Sequence, residues 1–539
     1  MLDSGQLIFQ NEKCKKLLQA PQFLEAWDKL YHDCPWATVF QSKEFALNWY
    51  QCFESFPKII VTDWDGIRMT GLLALTKKNN QLTAAGLDLA EYQVWLSLPN
   101  FNDEFLKKAL LAINITFPNQ TLYLKYLTAK VPLNLFFKKG PYGTQTFIRE
   151  YAHPLMETNE ELLKSELKKK NKKEKINRLK RLGDLEFFEV KENDHFRALI
   201  DEMSLLSDFR KGAFYNKTYF YDEPERKTFL LKLFELGLLH VSGLSIDGKL
   251  IASNAGIMGP DVVHLQGINS HSPFYSKNSP GILQFLMLGI ALKKSGFKYF
   301  DLTPGDADGY KSMLATEISM AYEMWFTSKT DATMKKWFER VKNWLKPRFQ
   351  EKTFRGFELS NLNMARIRFK FKCRFLKKSL RNHQKKEFTN FLKGESQFFS
   401  LKDPSPITEK IEAIGVIHEN QISDLFLFDE EFSLFPRMDF FADCITRIEF
   451  GQNMFTLVSG SELMGVFWFI SMHAKTEWKN TRVTPQLPTL TCSYAKNIDS
   501  DKFNKVIEVL QQQIQNKQPE ISHMQLEIGG KQKELLKKS

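Results

Sequence analysis

The sequence predicts an α/β protein made of repeated mixed sheets, each flanked by helices, and three observations predict it. The order helix, hairpin, strand, helix, strand runs through residues 1–155, returns in 156–330, and returns more sparsely in 401–539. Hairpin turns fall at Asp65-Gly66 and Asp247-Gly248, each between apolar runs. The chain is also long, 62.9 kDa, with 43% hydrophobic and 26% charged residues. That is material for several packed cores and not for a disordered or fibrous chain.

In the first segment Leu17, Leu18, Phe23, Leu24, Trp27, Leu30 and Tyr31 recur at helical spacing. Ser42 is placed to cap a second helix that carries Phe45, Leu47, Trp49 and Tyr50. A hairpin over 58–63 and 70–75, a strand near 94–96, a helix over 103–115 and a strand at 121–124 complete this copy. In the second segment a basic helix stops before Gly183, which serves as its C-cap. A strand at 185–190, a helix at 195–207 and a hairpin of 239–246 with 250–256 follow. Then come a strand at 262–268, a loop over 269–278, an apolar helix and a strand at 297–302. The third segment shows a helix around Phe440 and Ile445, a hairpin ending at Ile470, a strand at 489–494, a helix at 502–513 and a strand at 524–528.

Charge is concentrated. Residues 161–181 carry ten Lys/Arg against three acids, and residues 331–395 carry nineteen against six. Together they exceed the whole net charge of +12, so the remaining chain is acidic. Such stretches suit anionic substrates, an anionic membrane surface or nucleic acid; solvated helix faces are the plain alternative. Residues 331–400 form a basic connector between the second and third segments. Within it 334–349 is amphipathic, with Trp337, Phe338, Val341, Trp344 and Leu345 on one side. Residues 366–375 alternate strictly, Ile367, Phe369, Phe371, Cys373 and Phe375 against five Lys/Arg. Each reads either as a cover for a domain or as a membrane or polyanion contact.

The six cysteines are scattered, with no CxxC or Cys/His cluster, so neither a metal site nor a disulfide framework is expected. A reducing cytoplasm is the expected location, with peripheral contact to the inner face of the membrane as an extension. The N-terminus lacks the regions of a signal peptide, and no run of about 18 apolar residues occurs.

Chemistry gathers between Ser279 and Lys311. Ser279-Pro280-Gly281 opens a helix with Leu283, Phe285, Leu286 and Ile290 on its apolar side. A proline fixed for the first helical position, beside a glycine, leaves first-turn N–H groups pointing outward as an anion site. An ordinary Pro-Gly turn is the alternative. One strand later, Thr303-Pro304-Gly305-Asp306 emerges at a carboxyl end, where α/β sheets tend to hold ligands. Asp301 lies within that strand and needs a partner for its charge. Asp306 could accept a proton, Tyr310 could donate one, and Lys311 could hold an anion. His264 is a second candidate base, or else a satisfied core histidine.

Ser279-Pro280-Gly281 together with Phe300-Asp301-Leu302-Thr303-Pro304-Gly305-Asp306 and Tyr310-Lys311 resembles the CelD/BcsL branch of the GNAT acetyltransferases. That branch is also described as BioF-like or cellulose-biosynthesis-type, and it shares the tandem-GNAT arrangement of the FemAB proteins. The resemblance extends to Arg178, Arg181, Leu182 and Gly183, to the hairpin around Asp247-Gly248, and to Phe40-Gln41-Ser42 and Phe45. It spans residues 35–326, and 401–539 is only faintly similar. It implies tandem GNAT-like domains with a third, degenerate one at the C-terminus, and acetyl-CoA or another acyl-CoA held in a cleft between two central strands. Asn278, Ser279, Pro280, Gly281 and Ile282 would receive the pyrophosphate, although the usual Q/R-x-x-G-x-G/A signature is reduced here to a shortened form.

At the corresponding position the first copy has Pro99-Asn100-Phe101-Asn102-Asp103 and the third has Asp499-Ser500-Asp501, acid where a phosphate would sit. Only the middle copy is expected to be catalytic. The expected reaction is acyl transfer to an amine of a small or glycan-precursor acceptor, as in cell-surface polysaccharide biosynthesis. The alternatives are a FemAB-like transferase using aminoacyl-tRNA, whose tRNA would meet the basic segments, and a non-catalytic scaffold.

Overall fold

The computed structural model describes residues 6–305, 309–353, 397–400, 415–433, 436–471, 487–496, 498–521 and 523–528. The alternating 366–375 segment and Asp306 lie outside them.

The chain divides into two compact units. In the larger, the first copy runs β1 (Ile8–Gln10), α1 (Asn11–Leu17), α2 (Pro21–Asp33), α3 (Lys43–Cys52), β2 (Ile59–Trp64), β3 (Met69–Lys78), β4 (Gln81–Ala84), β5 (Leu96–Ser97), α4 (Asn102–Thr116), β6 (Thr121–Thr128) and β7 (Thr146–Glu157). The second runs α5 (Glu160–Lys168), α6 (Lys170–Lys180), β8 (Leu185–Glu189), α7 (Asn193–Tyr215), α8 (Tyr219–Asp222), α9 (Glu225–Glu235), β9 (Leu239–Ile246), β10 (Lys249–Met258), β11 (Val262–His271), α10 (Pro280–Lys294), β12 (Tyr299–Asp301), α11 (Gly309–Leu314), β13 (Glu317–Phe326) and α12 (Lys329–Thr353). The smaller unit takes the end of α7, α8 up to Tyr221, and the third copy. That copy is β14 (Gln397–Ser400), β15 (Val416–Glu419), α13 (Arg437–Glu449), β16 (Asn453–Ser459), β17 (Glu462–Ile470), β18 (Thr489–Ala495), α14 (Ser500–Lys517) and β19 (Gln525–Ile528).

Local chemistry sets many of these elements. The Ser42 hydroxyl accepts the Phe45 amide and starts α3 as its sequence suggests. Asp65 Oδ1 accepts the amides of Ile67 and Arg68 in the β2–β3 turn. Asp247 and Gly248 both have positive φ, +47° and +77°, the geometry that matches a two-residue turn to the strand twist of β9 and β10.

All three copies share one topology. An antiparallel hairpin leads to a third strand, and a crossover helix returns the chain to a parallel neighbour: β4 with β6, β11 with β12, β18 with β19. The smaller unit is one six-stranded sheet in the order β14-β19-β18-β17-β16-β15, with the core under α14 built on Phe467, Leu490, Phe503 and Leu510.

The two halves of the larger unit share one sheet, in the order β1-β2-β3-β4-β6-β13-β7-β12-β11-β10-β9-β8, with β5 on β3. β7 pairs with β12 of the second copy, and β13 returns to lie between β6 and β7. The boundary expected at residue 155 therefore falls inside β7, a twelve-residue strand. Neither β7 nor β13 is evident from the sequence, because their neighbours are supplied by the other half.

Gly71 on β3 faces Phe105 of α4, and a Cβ added there would lie 2.0 Å from the ring. Phe105 is fully buried and has nowhere to go. Gly71→Ala is expected to destabilise the larger unit by about 1–3 kcal/mol through overpacking, read as a lower midpoint in urea unfolding.

Candidate active site

β11 and β12 pair over three residues only, Val262 with Tyr299, Val263 with Phe300 and His264 with Asp301. At that point the ladder between β10 and β11 shifts, since Gly256 faces Gly267 while Ile257 faces His264, and two residues of β11 bulge out. Gly267 has φ +122°, and a Cβ there would come within 2.4 Å of the Ala255 carbonyl oxygen. Glycine is required. β12 ends at Asp301 while β11 continues to His271, so the strands part company at the His264–Asp301 pair.

Val263, Phe300 and Leu302 pack beneath α10 with Phe285 and Leu286. Alternation turns His264 and Asp301 to the opposite face. There Asp301 is wholly buried. Its Oδ2 accepts from Tyr92 Oη at 2.6 Å and His264 Nδ1 at 2.7 Å, and its Oδ1 from His153 Nε2 at 3.0 Å and the Thr303 amide at 2.8 Å. Burial by itself would raise the Asp301 carboxyl; the hydrogen bonds from His153 and His264 outweigh it and hold the group well below the usual carboxylate range. Burial, reinforced by the neighbouring Asp301, pushes the Tyr92 phenol far up, so it stays a donor. An ionised carboxylate only accepts, so Nδ1 of the His264 ring carries the proton toward Asp301, and in the neutral ring Nε2 is the accepting nitrogen. Phe40 and Tyr92 pack against the ring at 5.2 and 5.3 Å.

The other expected residues are placed as follows. Ser279 precedes α10 in a left-handed conformation, φ +50°, and makes no side-chain cap. Its hydroxyl instead accepts from Lys175 Nζ of α6 at 2.8 Å. Pro280 occupies the first helical position, and the amides of Ile282 and Leu283 turn back to the Ser279 carbonyl. Of the first-turn amides, Gly281 is thus the one left pointing outward; a Cβ at Gly281 would touch only His271, at 3.4 Å. Asn278 ends the turn before Ser279. Tyr310 packs its ring on Phe285, on the α10 side of the sheet. Lys311 donates to the carbonyls of Thr303 and Pro304, at 2.9 and 3.4 Å, and so ties the loop that follows β12. The structure brings His264 and Asp301 together, packs Tyr310 on the α10 side of the sheet, and ties Lys311 to Thr303, whose amide holds Asp301. Sequence reading missed Tyr92 and His153; the only signal for them was that a buried Asp301 must have partners.

Residues 167–312 match the acetyltransferase (GNAT) domain family. The chain therefore carries a GNAT acyltransferase-like domain, and the matched stretch includes His264, the start of α10, Asp301 and Tyr310 but neither Tyr92 nor His153. No curated protein matches the sequence. Among solved structures, FemX is 8% identical over 57% of this chain and 96% of its own, with a TM-score of 0.40. L-PGS from Bacillus licheniformis is 10% identical over 60% of this chain and 96% of its own, with a TM-score of 0.38. A tandem GNAT protein from the clavulanic acid biosynthesis pathway is 12% identical over 59% and 97%, with a TM-score of 0.33. None of these likenesses bears on the substrate.

The three GNAT-like copies differ at two points. In the first, Gln93 is buried where β4 and β6 diverge: its side-chain Oε1 accepts from Thr83 Oγ1 and the Lys125 amide, and its backbone N–H donates to the Lys125 carbonyl. That gap is filled by the chain itself. In the third, Asp499 caps α14 by accepting the Lys502 amide at 2.8 Å, a bond that lowers its carboxyl pKa. That helix start already holds a carboxylate. The start of α10 has neither feature.

Because the folded state holds Asp301 ionised far more firmly than the unfolded chain does, its contribution to stability is present above the unfolded carboxylate value of about 3.9 and is lost as pH falls through it toward the depressed folded value. Asp301→Asn is expected to cost about 3 kcal/mol at neutral pH by leaving buried donors unmatched. Urea unfolding from pH 7 to 3 should show the gap between wild type and variant closing below about pH 4. A gap that is constant with pH would mean that Asp301 is not ionised in the fold.

Proposed function

We propose that the larger unit is an N-acyltransferase of the CelD/BcsL kind, moving an acyl group from acyl-CoA, acetyl-CoA in the simplest case, to an amine of a small or glycan-precursor acceptor. The observation that carries this reading is the His264–Asp301 pair at the point where β11 and β12 part. Asp301 fixes the ring so that Nε2 can take the proton from the attacking amine, and its charge stabilises the imidazolium that results. The residues around α10 fit the anionic end of such a donor: an uncapped helix start, an outward Gly281 amide, no Cβ in the way, and Lys175 alongside. The seven steps from His264 to His271 span about 20 Å of strand, so a donor laid along β11 reaches from α10 to His264. When bound, acyl-CoA supplies the activated thioester carbonyl. Tyr310, on the α10 side, is the proposed proton source for the departing thiolate, and Asp306 and Lys311 are assigned no step. The described cysteines are not activated nucleophiles: burial pushes the Cys14 and Cys492 thiols up to about 12, the Cys444 thiol well above its usual value, and raises Cys34 and Cys52 as well.

A second reading has one observation in its favour. α6 carries Lys170, Lys172, Lys173, Lys175 and Arg178, and Lys175 reaches the start of α10. An aminoacyl-tRNA donor, as in a FemAB-like transferase, would use that helix as a phosphate contact.

Intact-mass detection of acyl transfer from a panel of CoA thioesters to amino-sugar acceptors tests the main reading. His264→Gln is expected to lower turnover by about 10²–10⁴-fold while the fold is retained. Full turnover in that variant would remove His264 as base. Calorimetry with acetyl-CoA should show binding that Gly281→Asp weakens at least about tenfold, by placing a carboxylate where the third copy has one. No heat with any CoA thioester, together with tRNA binding that vanishes in high salt and on neutralising Lys168, Lys169, Lys170, Lys172 and Lys173, would decide for the second reading.

A further inference from the structure

Helix α12 packs with its polarity reversed. Residues 332, 335, 336 and 339 form its inward side, and each is held there. Ala332 is fully buried. Lys335 Nζ lies over the Trp325 ring at 5.4 Å, Lys336 Nζ donates to the Gly143 carbonyl at 2.9 Å, and Glu339 pairs with Arg149 at 2.8 Å. Burial lowers the Lys336 pKa, helped by the nearby charges of Arg340 and Lys138. At about 100° per residue, 334, 337 and 338 fall on the other side. Met334 is 51% exposed, and Trp337 and Phe338 are 57% exposed, their rings in edge contact at 5.0 Å.

A surface helix ordinarily buries its apolar stripe, and burying an aromatic side chain gains about 1.5–3 kcal/mol. α12 forgoes that gain and desolvates a lysine instead. The same composition continues on the turn that Lys336 touches, where Phe137 is 43% exposed and Lys138 and Lys139 are exposed. Among the described side chains of α12 the acids are engaged, Glu339 with Arg149 and Asp331 with the Ser328 hydroxyl at the helix start. What faces outward on α12 is therefore Met334, Trp337 and Phe338, with Arg340 exposed beside them, and the turn that Lys336 touches exposes Phe137, Lys138 and Lys139.

We propose that this face docks on an anionic phospholipid bilayer, with the aromatic side chains at the headgroup boundary and the cations against lipid phosphates. Charge complementarity selects this occupant: aromatic and apolar side chains with a cationic rim are the composition of interfacial helices. The sequence that runs on from α12 is strongly basic, twelve Lys/Arg against three acids over 354–395. No described helix is long and apolar enough to cross a membrane, so the contact is one of surface adhesion. The inference does not depend on the reaction proposed above.

Co-flotation of the full chain with vesicles of phosphatidylcholine alone, and with phosphatidylglycerol added, tests it. Binding is expected only to the anionic vesicles and is expected to weaken as salt rises. Trp337→Ala with Phe338→Ala should reduce it at least about tenfold, and Lys138→Ala with Lys139→Ala by about fivefold per charge. Melting temperatures should stay unchanged, as all four side chains are exposed. Equal binding to neutral vesicles, or wild-type binding by these variants, would overturn the proposal. So would a dimer in sedimentation that the aromatic variants abolish in the absence of vesicle binding, which would assign the face to a second copy. Slow oxidative labelling of Trp337 in the free protein would assign it to another part of the chain, with the same consequence.

Discussion

A carboxylate withdrawn wholly from water survives in a fold only where several donors surround it, and Asp301 sets that condition for this protein. Its donors are residues 92, 153, 264 and 303, two from each of the first two copies, so neither copy alone could supply them all. The shared sheet gathers them. β7 brings His153 beside β12, and Tyr92 arrives from the segment that precedes β5. β13, returning between β6 and β7, closes the halves into one structure. The first copy is therefore part of the wall of the candidate site, and residues 156–330 taken alone would leave Asp301 without Tyr92 and His153.

What could be read from the sequence divides along the range of the interactions involved. The hairpin at Asp247-Gly248, the Ser42 cap, the proline-led start of α10 and, in the third copy, the hairpin ending at Ile470, the strands at 489–494 and 524–528 and the two helices all follow from residues a few positions apart, and all are present. β7 and β13 follow from pairing across the duplication, which leaves no local pattern; β7 carries Arg149, Glu150, His153 and Pro154 within twelve residues and does not resemble a central strand. Asp301 was legible as a residue needing partners, but their identity was not. Lys311 has contacts that the composition of its surroundings does not give. An ammonium beside a glycine-rich turn suggests anion binding, yet the turn's own carbonyls lie closer and take it.

The three copies show how little of the chain distinguishes a site from its relatives. Topology is common to all, and each has a parallel pair that parts after two or three residues. One glutamine fills the gap in the first copy, and one aspartate occupies the helix start in the third. On the proposed reaction, each supplies from within the chain the groups that the donor brings in the middle copy. Function in such folds resides in these few side chains and not in the architecture that carries them.

The parting of two strands matters for a further reason. A continuous sheet separates its two faces, because every backbone group between them is engaged in the ladder and the side chains of neighbours alternate. In the middle copy α10 and Tyr310 stand on one face, while His264, Asp301 and Tyr92 stand on the other. Only where β11 and β12 separate can groups on opposite faces act on one bound molecule. On the proposed reaction, that geometry puts the anionic end of the donor and the proton source for the leaving thiolate on one side, and the base for the acceptor amine on the other. The two substrates then approach the same carbonyl carbon from different directions, and the base does not compete with the phosphates for the same space.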